Sequence, residues 1–205
     1  MGTLFVDKLD PQSGTSLEIG SSGDTMTVPS GATFNVAGTL QSGGATVSNT
    51  PAFAASNDST IDSYSDNTLT KAALDKEVID VGGCFNNTGS EVTLNGIATP
   101  AYSFAPNVAG TYLFTGAAGL ESHNGSLENA FIEIRKNGTA IQRIYHNTGG
   151  GTIYDVSNAF AVVATADGVD DYFEMYVKIN WNGSSTGKLL DEQNTQFIGY
   201  KLLGA

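Results

Sequence analysis

Along most of this chain apolar residues recur at every second position, the period of a strand with one face buried. The clearest run is Ala130-Phe131-Ile132-Glu133-Ile134-Arg135. There Phe131, Glu133 and Arg135 face one way, and Ala130, Ile132 and Ile134 the other. Similar runs predict strands over 77–81, 91–94, 102–104, 110–120, 129–136, 139–145, 156–163, 172–179 and 195–203. Helical periodicity is almost absent. The best helical candidate, LTKAALDKEVIDV at 69–81, alternates near its end and reads as extended, with a helical turn as the alternative. Asn137-Gly138 lies between two strand runs and signals a hairpin, because both central turn positions need positive φ. Ala166-Asp167-Gly168 marks a second turn. Eight or so strands at this spacing make a sandwich or a barrel.

Residues 1–50 are patterned differently. They read as stubs of three to five residues, LFVDKL, SLEIG, TMTVPSG, TFNVAG, TLQSGG and ATVSN, each closed by Gly, Ser or Pro. Apolar anchors recur at Ile19, Val28, Val36 and Val47. Stubs this short cannot bury a core alone. They must pack on copies from other chains or on successive rungs, as in a three-chain β-prism or β-helix shaft. A disordered Gly/Ser tail is the alternative, but such tails lack regularly placed anchors. Residues 51–72 open on Ala52-Phe53-Ala54 and then turn polar.

Composition agrees with an all-β chain. Charged residues are 15% of the 205, and Gly contributes 25 residues. The net charge of −12 repels phosphate, which excludes nucleic acid and disfavours a bare anionic membrane. The single cysteine, Cys84, can form neither an intrachain disulfide nor a thiolate metal site. No signal peptide or membrane-spanning stretch is visible. Extracellular composition without an export signal suits a component of a virus particle, assembled in the host cytoplasm and released by lysis.

Residues 51–205 resemble the complement-1q/TNF-like trimeric jelly roll. The resemblance is carried by Pro51-Ala52-Phe53-Ala54-Ala55, by Tyr102 to Pro106 and Ala109 to Phe114, by Ala130 to Gly138, by Ser157 to Ala164 with Tyr172 to Met175, and by Phe197 to Leu203, in the family's order. It implies a jelly-roll head, homotrimerisation, and aromatic residues in the core or around a three-fold axis, among them Tyr112, Phe114, Phe131, Phe197 and Tyr200. The loops 146–155 and 180–195 depart from the family, so no ligand specificity carries over. Residues 3–42 are similar to N-terminal repeats of fibre and appendage proteins of marine tailed bacteriophages.

Candidate chemistry is sparse. His123 and His146, the only histidines, lie beside Gly-rich turns and read as loop or strand-end residues. Asp167, Asp170 and Asp171 form an acidic turn without the spaced ligands of a calcium loop, and read as solvated. Gly82-Gly83 and the glycines at 149–151 are followed by no Lys-Ser/Thr and read as chain reversals. Cys84 has no basic neighbour and reads as a buried small hydrophobe. Trp181, flanked by Asn180 and Asn182, is the one candidate for a ligand or receptor loop: an exposed indole would stack on sugar C–H groups while the amides meet hydroxyls.

Together these readings predict an all-β protein with a shaft or attachment segment at 1–50 and a jelly-roll head at 51–205. The expected function is structural: a homotrimeric fibre, spike or appendage of a tailed phage virion. It would hold other virion proteins through residues 1–50 and meet a host surface glycan or protein through its head. No catalysis, cofactor, metal or membrane insertion is expected. A capsid decoration protein without receptor role, and a secreted lectin-like or complement-1q/TNF-like ligand, are the alternatives.

Overall fold

The computed structural model describes residues 13–42, 45–149, 151–183 and 186–203; the expected stub at 4–9 lies outside these. The chain divides into two units, 1–46 and 47–205. No helix occurs among the described residues, so none is long and apolar enough to cross a membrane.

In the first unit two short strands, β1 (Gln41–Ser42) and β2 (Ala45–Thr46), pair antiparallel. Its other described residues run through turns and bends. Asp24 closes one turn by accepting the Ser21 amide at 2.7 Å while donating its own to the Ser21 carbonyl. Leu17, Ile19, Met26, Val28, Phe34 and Val36 all remain exposed. The stubs around them, expected as strands, are therefore not strands within one chain. Stubs this short need a paired edge to hold as strands, and among the described residues these have none.

The second unit holds β3 (Ala52–Ser56), β4 (Ile61–Tyr64), β5 (Thr70–Lys71), β6 (Lys76–Val81), β7 (Phe85–Asn86), β8 (Val92–Leu94), β9 (Ile97–Thr99) and β10 (Ser103–Phe104). Longer strands follow: β11 (Gly110–Ser122), β12 (Ser126–Lys136), β13 (Thr139–Asn147), β14 (Asp155–Ala166) and β15 (Phe173–Asn182), then β16 (Gly187–Leu189) and β17 (Gln196–Lys201). A seven-stranded sheet runs β4-β16-β11-β17-β3-β6, with β14 on the free side of β11. A six-stranded sheet runs β13-β12-β15-β10-β7, with β5 also on β15. All pairings in both are antiparallel. The chain crosses repeatedly between the sheets, and its last long strand, β17, lies beside the first, β3. This is a jelly roll.

The core between the sheets is built from alternate residues of facing strands. Phe53 stacks on Phe104 and Phe85, with ring centroids 4.4 and 4.9 Å apart. Phe114 meets Phe173 at 4.2 Å. Tyr112, fully buried, donates its hydroxyl to the Val108 carbonyl at 2.6 Å, which satisfies the one polar atom of its ring. At the hairpin, Asn137 and Gly138 have φ of 50° and 75°, the turn expected between β12 and β13. Asn137 also ties the hairpin to the neighbouring turn: its amide donates to Asp171 and its side-chain oxygen accepts the Tyr172 N–H.

Candidate functional site

The expected ligand residue Trp181 is not exposed. It is the last inward residue of β15, after Val177 and Ile179, and is 4% exposed. Gly125 and Gly187 give it room: a Cβ at Gly187 would lie 2.8 Å from the indole. Its backbone N–H donates to Asp66 at 3.0 Å. The indole is core, and its face cannot stack on a sugar. Alternation explains the error, because a residue read as lying in a loop continues the strand and falls on its buried side. Asn180 lies on the outward row of β15 and donates to Glu128 at 3.0 Å, and Asn182 is exposed.

The five aromatics expected in the core or at an interface separate into three places. Tyr112, Phe114 and Phe197 are fully buried in the core. Tyr200 is half-buried on the outer face of the seven-stranded sheet. Phe131 lies on the outer face of the six-stranded sheet, facing Tyr145 and covered by the Arg143 guanidinium 4.4 Å from its centroid.

His123 sits 3.3 Å from Asp62 at the end of β11, while His146 lies on β13 opposite Ala130. Among the described residues the one cluster of three metal-competent side chains is Asp167, Asp170 and Asp171. Two of its three carboxylates, Asp167 and Asp171, already have partners. Asp167 accepts the Val169 amide at 2.9 Å, which heads the causes holding its pKa below the usual value. The Asp167 charge pushes Asp170 up. Burial opposes ionisation of Asp171, but Lys136 and Asn137 outweigh it and hold its pKa down. Cys84 is fully buried and its thiol is pushed up by that burial, which favours the neutral form. Asp80 receives the Cys84 and Phe85 amides, and Asn95 donates to both carbonyls of the Gly82-Gly83 reversal.

What distinguishes the second unit is the contrast between its two outer faces. On the seven-stranded sheet, register places Val163, Leu113, Tyr200, Ala52 and Val81 in one row across five strands. The next row is Ala161, Thr115, Ile198, Ala54 and Ile79. These ten residues include no charge. Val163, Ile79 and Val81 are each about half exposed, at 56%, 53% and 47%. Beside them the face is hollowed between Thr115, Ala117, Ala159 and Gln196, above Phe160.

The six-stranded sheet is the reverse. Its central outward row runs Arg143, Glu133, Tyr176 and Lys71. Glu133 has no exposed side-chain surface, and each of its oxygens takes one guanidinium, Arg135 and Arg143. Lys71 pairs with Glu174 at 2.5 Å. Arg135 lies 4.6 Å above the Tyr176 ring.

No protein-family model matches the chain, and no curated protein matches it. Among solved structures it is similar to the globular domain of zebrafish complement 1qA, at 14% identity over 74% of this chain and 96% of that one, with a TM-score of 0.49. It is similar to murine APRIL at 15% identity over 74% and 98%, TM-score 0.49. Eiger TNF from S. frugiperda is similar at 10% identity over 76% and 96%, TM-score 0.48. Identities this low carry no function across.

Proposed function

We infer that this chain is a structural, non-catalytic subunit that works as a homotrimer. In this reading the second unit is a head and the first an attachment or shaft segment. One observation carries the reading: the two complete rows of uncharged, mostly apolar side chains across the outer face of the seven-stranded sheet. A monomeric soluble protein rarely presents so continuous an apolar patch to water. A second and third copy are the occupants that fit, because these two rows offer no charge to pair with a foreign partner and all three copies supply the same surface. The exposed apolar anchors of the first unit, Leu17, Ile19, Met26, Val28, Phe34 and Val36, support the same conclusion.

The setting that accommodates both units is the virion of a tailed bacteriophage, with the protein as a fibre, spike or appendage. Residues 1–50 would hold other virion proteins, and the head would meet the host surface. The support for this setting is the resemblance of residues 3–42 to phage appendage repeats. A secreted ligand of the complement-1q/TNF type is the competing reading, which accounts for the head but not for those repeats.

Light scattering on the purified full chain tests the assembly. The expected mass is that of three chains of 21.3 kDa; a single-chain mass at micromolar concentration overturns it. Immunolabelling of particles under the electron microscope tests the setting, and absence of label from intact virions overturns it.

A further inference from the structure

The outer face of the six-stranded sheet carries a second arrangement beside its charged row. Asn147, Asn129 and Asn180 stand in register on three adjacent strands. The next outward row, in the same strand order, is Tyr145, Phe131 and Lys178. The outer strands of such a trio lie about 10 Å apart and successive outward rows about 7 Å apart. The patch therefore has the extent of a short oligosaccharide.

Its chemistry is graded. Asn147 already accepts the Gly149 N–H and Asn180 donates to Glu128, and each primary amide has a second donor hydrogen and a second lone pair with which to meet hydroxyls. Tyr145 is 54% exposed and lies against Phe131 at 6.2 Å, so its ring is held in place while a face stays open. Lys178 forms no ion pair among the described residues and is held 5.7 Å above Phe131. Arg143, in the row beyond, is half exposed after binding Glu133. Of the chain's nine bases, Lys71, Arg135, Arg143 and Lys178 gather on this one face, against Glu133 and Glu174 and with Glu128 at the margin. In a chain of net charge −12 that is a local reversal of sign.

We propose that this face binds an acidic polysaccharide. The amide row takes hydroxyls, Tyr145 packs on a sugar ring, and Lys178 takes the carboxylate or sulfate. The surface lies on the sheet opposite the apolar rows, so trimerisation leaves it open. Its biological use as a host contact rests on the reading of the second unit as a head; the binding itself does not.

The experiment is calorimetric titration of the full chain with a uronic-acid oligomer, a sulfated oligomer and a neutral glucan oligomer of equal length. Wild type is expected to bind at least one of the two acidic oligomers and not the glucan; which of the two separates carboxylate from sulfate recognition. Lys178→Glu and Tyr145→Ala are each expected to weaken binding about tenfold or more, the loss of one charge-assisted contact or one stacked ring. Lys76→Gln, on the other sheet, is expected to leave it unchanged. The proposal is overturned if neither acidic oligomer binds, if glucan binds equally, or if Lys178→Glu has no effect. Equal affinity for a single-stranded DNA oligomer overturns it too, since any polyanion would then serve. Light scattering on the same samples separates the two readings: uronate binding by a monomer refutes the trimer and leaves the surface standing.

Discussion

Arg143 reaches across from β13 to place Nη2 2.5 Å from Oε2 of Glu133, a carboxylate with no exposed surface even though it points to the outside of its sheet. The burial comes from what lies over it. Both arginines of the chain bind it, and each guanidinium also rests on a ring, Arg135 on Tyr176 and Arg143 on Phe131. The outer face thus has a small polar core of its own. Glu133→Gln removes the charge and leaves two guanidinium groups side by side. The expected cost is about 1–3 kcal/mol, below that of a fully buried pair because both arginines keep partial contact with water. Urea unfolding at neutral pH reads this as a lower midpoint with an unchanged m-value.

The apolar rows on the opposite face make a different prediction. Ile198 sits at the centre of its row, between Thr115 and Ala54. Ile198→Asp puts a carboxylate from each of three copies into a desolvated interface, at a cost of several kcal/mol per charge. The variant is expected to run at the mass of one 21.3 kDa chain by light scattering while keeping its far-ultraviolet circular dichroism. A trimeric Ile198→Asp protein would locate the interface elsewhere.

Where the strands are close-packed, glycine sets the distance between them. Gly199 on β17 faces inward, and a Cβ there would lie 2.6 Å from Phe114 and 2.7 Å from Phe53. Both rings already pack against aromatic neighbours, Phe53 on Phe104 and Phe114 on Phe173. Gly199→Ala is expected to cost about 1–3 kcal/mol through overpacking, measured by the same unfolding assay. The change makes the residue more apolar, so a transfer-based argument alone would predict the opposite sign.

The features that sequence made legible are those with a periodic or local cause. The long strands β11, β12, β14 and β15 follow from alternation, and the Asn137-Gly138 turn from its φ requirement. The facing of Glu133 and Arg135 against Ile132 and Ile134 was readable from β12 alone. β4, β5, β7, β9 and β16 were not anticipated, because two to four residues are too few to show a period. The apolar face had a signal that went unused. GTYLFTGAAGL on β11 carries no charge on either row, the mark of a strand covered on both sides. The asparagine row had no local signal, since its members are separated by up to 51 positions and meet only through register.

The acidic turn offers two variants of opposite sign. Asp167 ionises more readily in the folded state, first because the Val169 amide points at it. A lowered folded pKa stabilises above the ordinary value of 3.8 and is lost as pH falls through the folded value. Asp170 is raised by the Asp167 charge, so it opposes folding at neutral pH and ceases to as it protonates. Asp167→Asn is therefore expected to lower the melting temperature at about pH 7, and Asp170→Asn to raise it. Both effects shrink at about pH 3, where the carboxylates of the unfolded chain are protonated. Melting curves of the two variants at the two pH values check the signs.

Trp181 supplies the test that separates a core role from a binding role. The side chain is buried, and its indole N–H has no hydrogen-bond partner among the described residues. Shape, not polarity, is then what the site requires. Trp181→Phe keeps most of the ring and removes a donor that gained nothing from folding, so it is expected to cost only the small cavity left by the second ring. Trp181→Ala empties the space that Gly125 and Gly187 leave open, at about 3–5 kcal/mol. Neither change touches the outer face of the six-stranded sheet. Uronate affinity of folded Trp181→Phe protein is therefore expected to equal that of wild type. A selective loss of affinity at unchanged stability would return the indole to the binding role the sequence suggested.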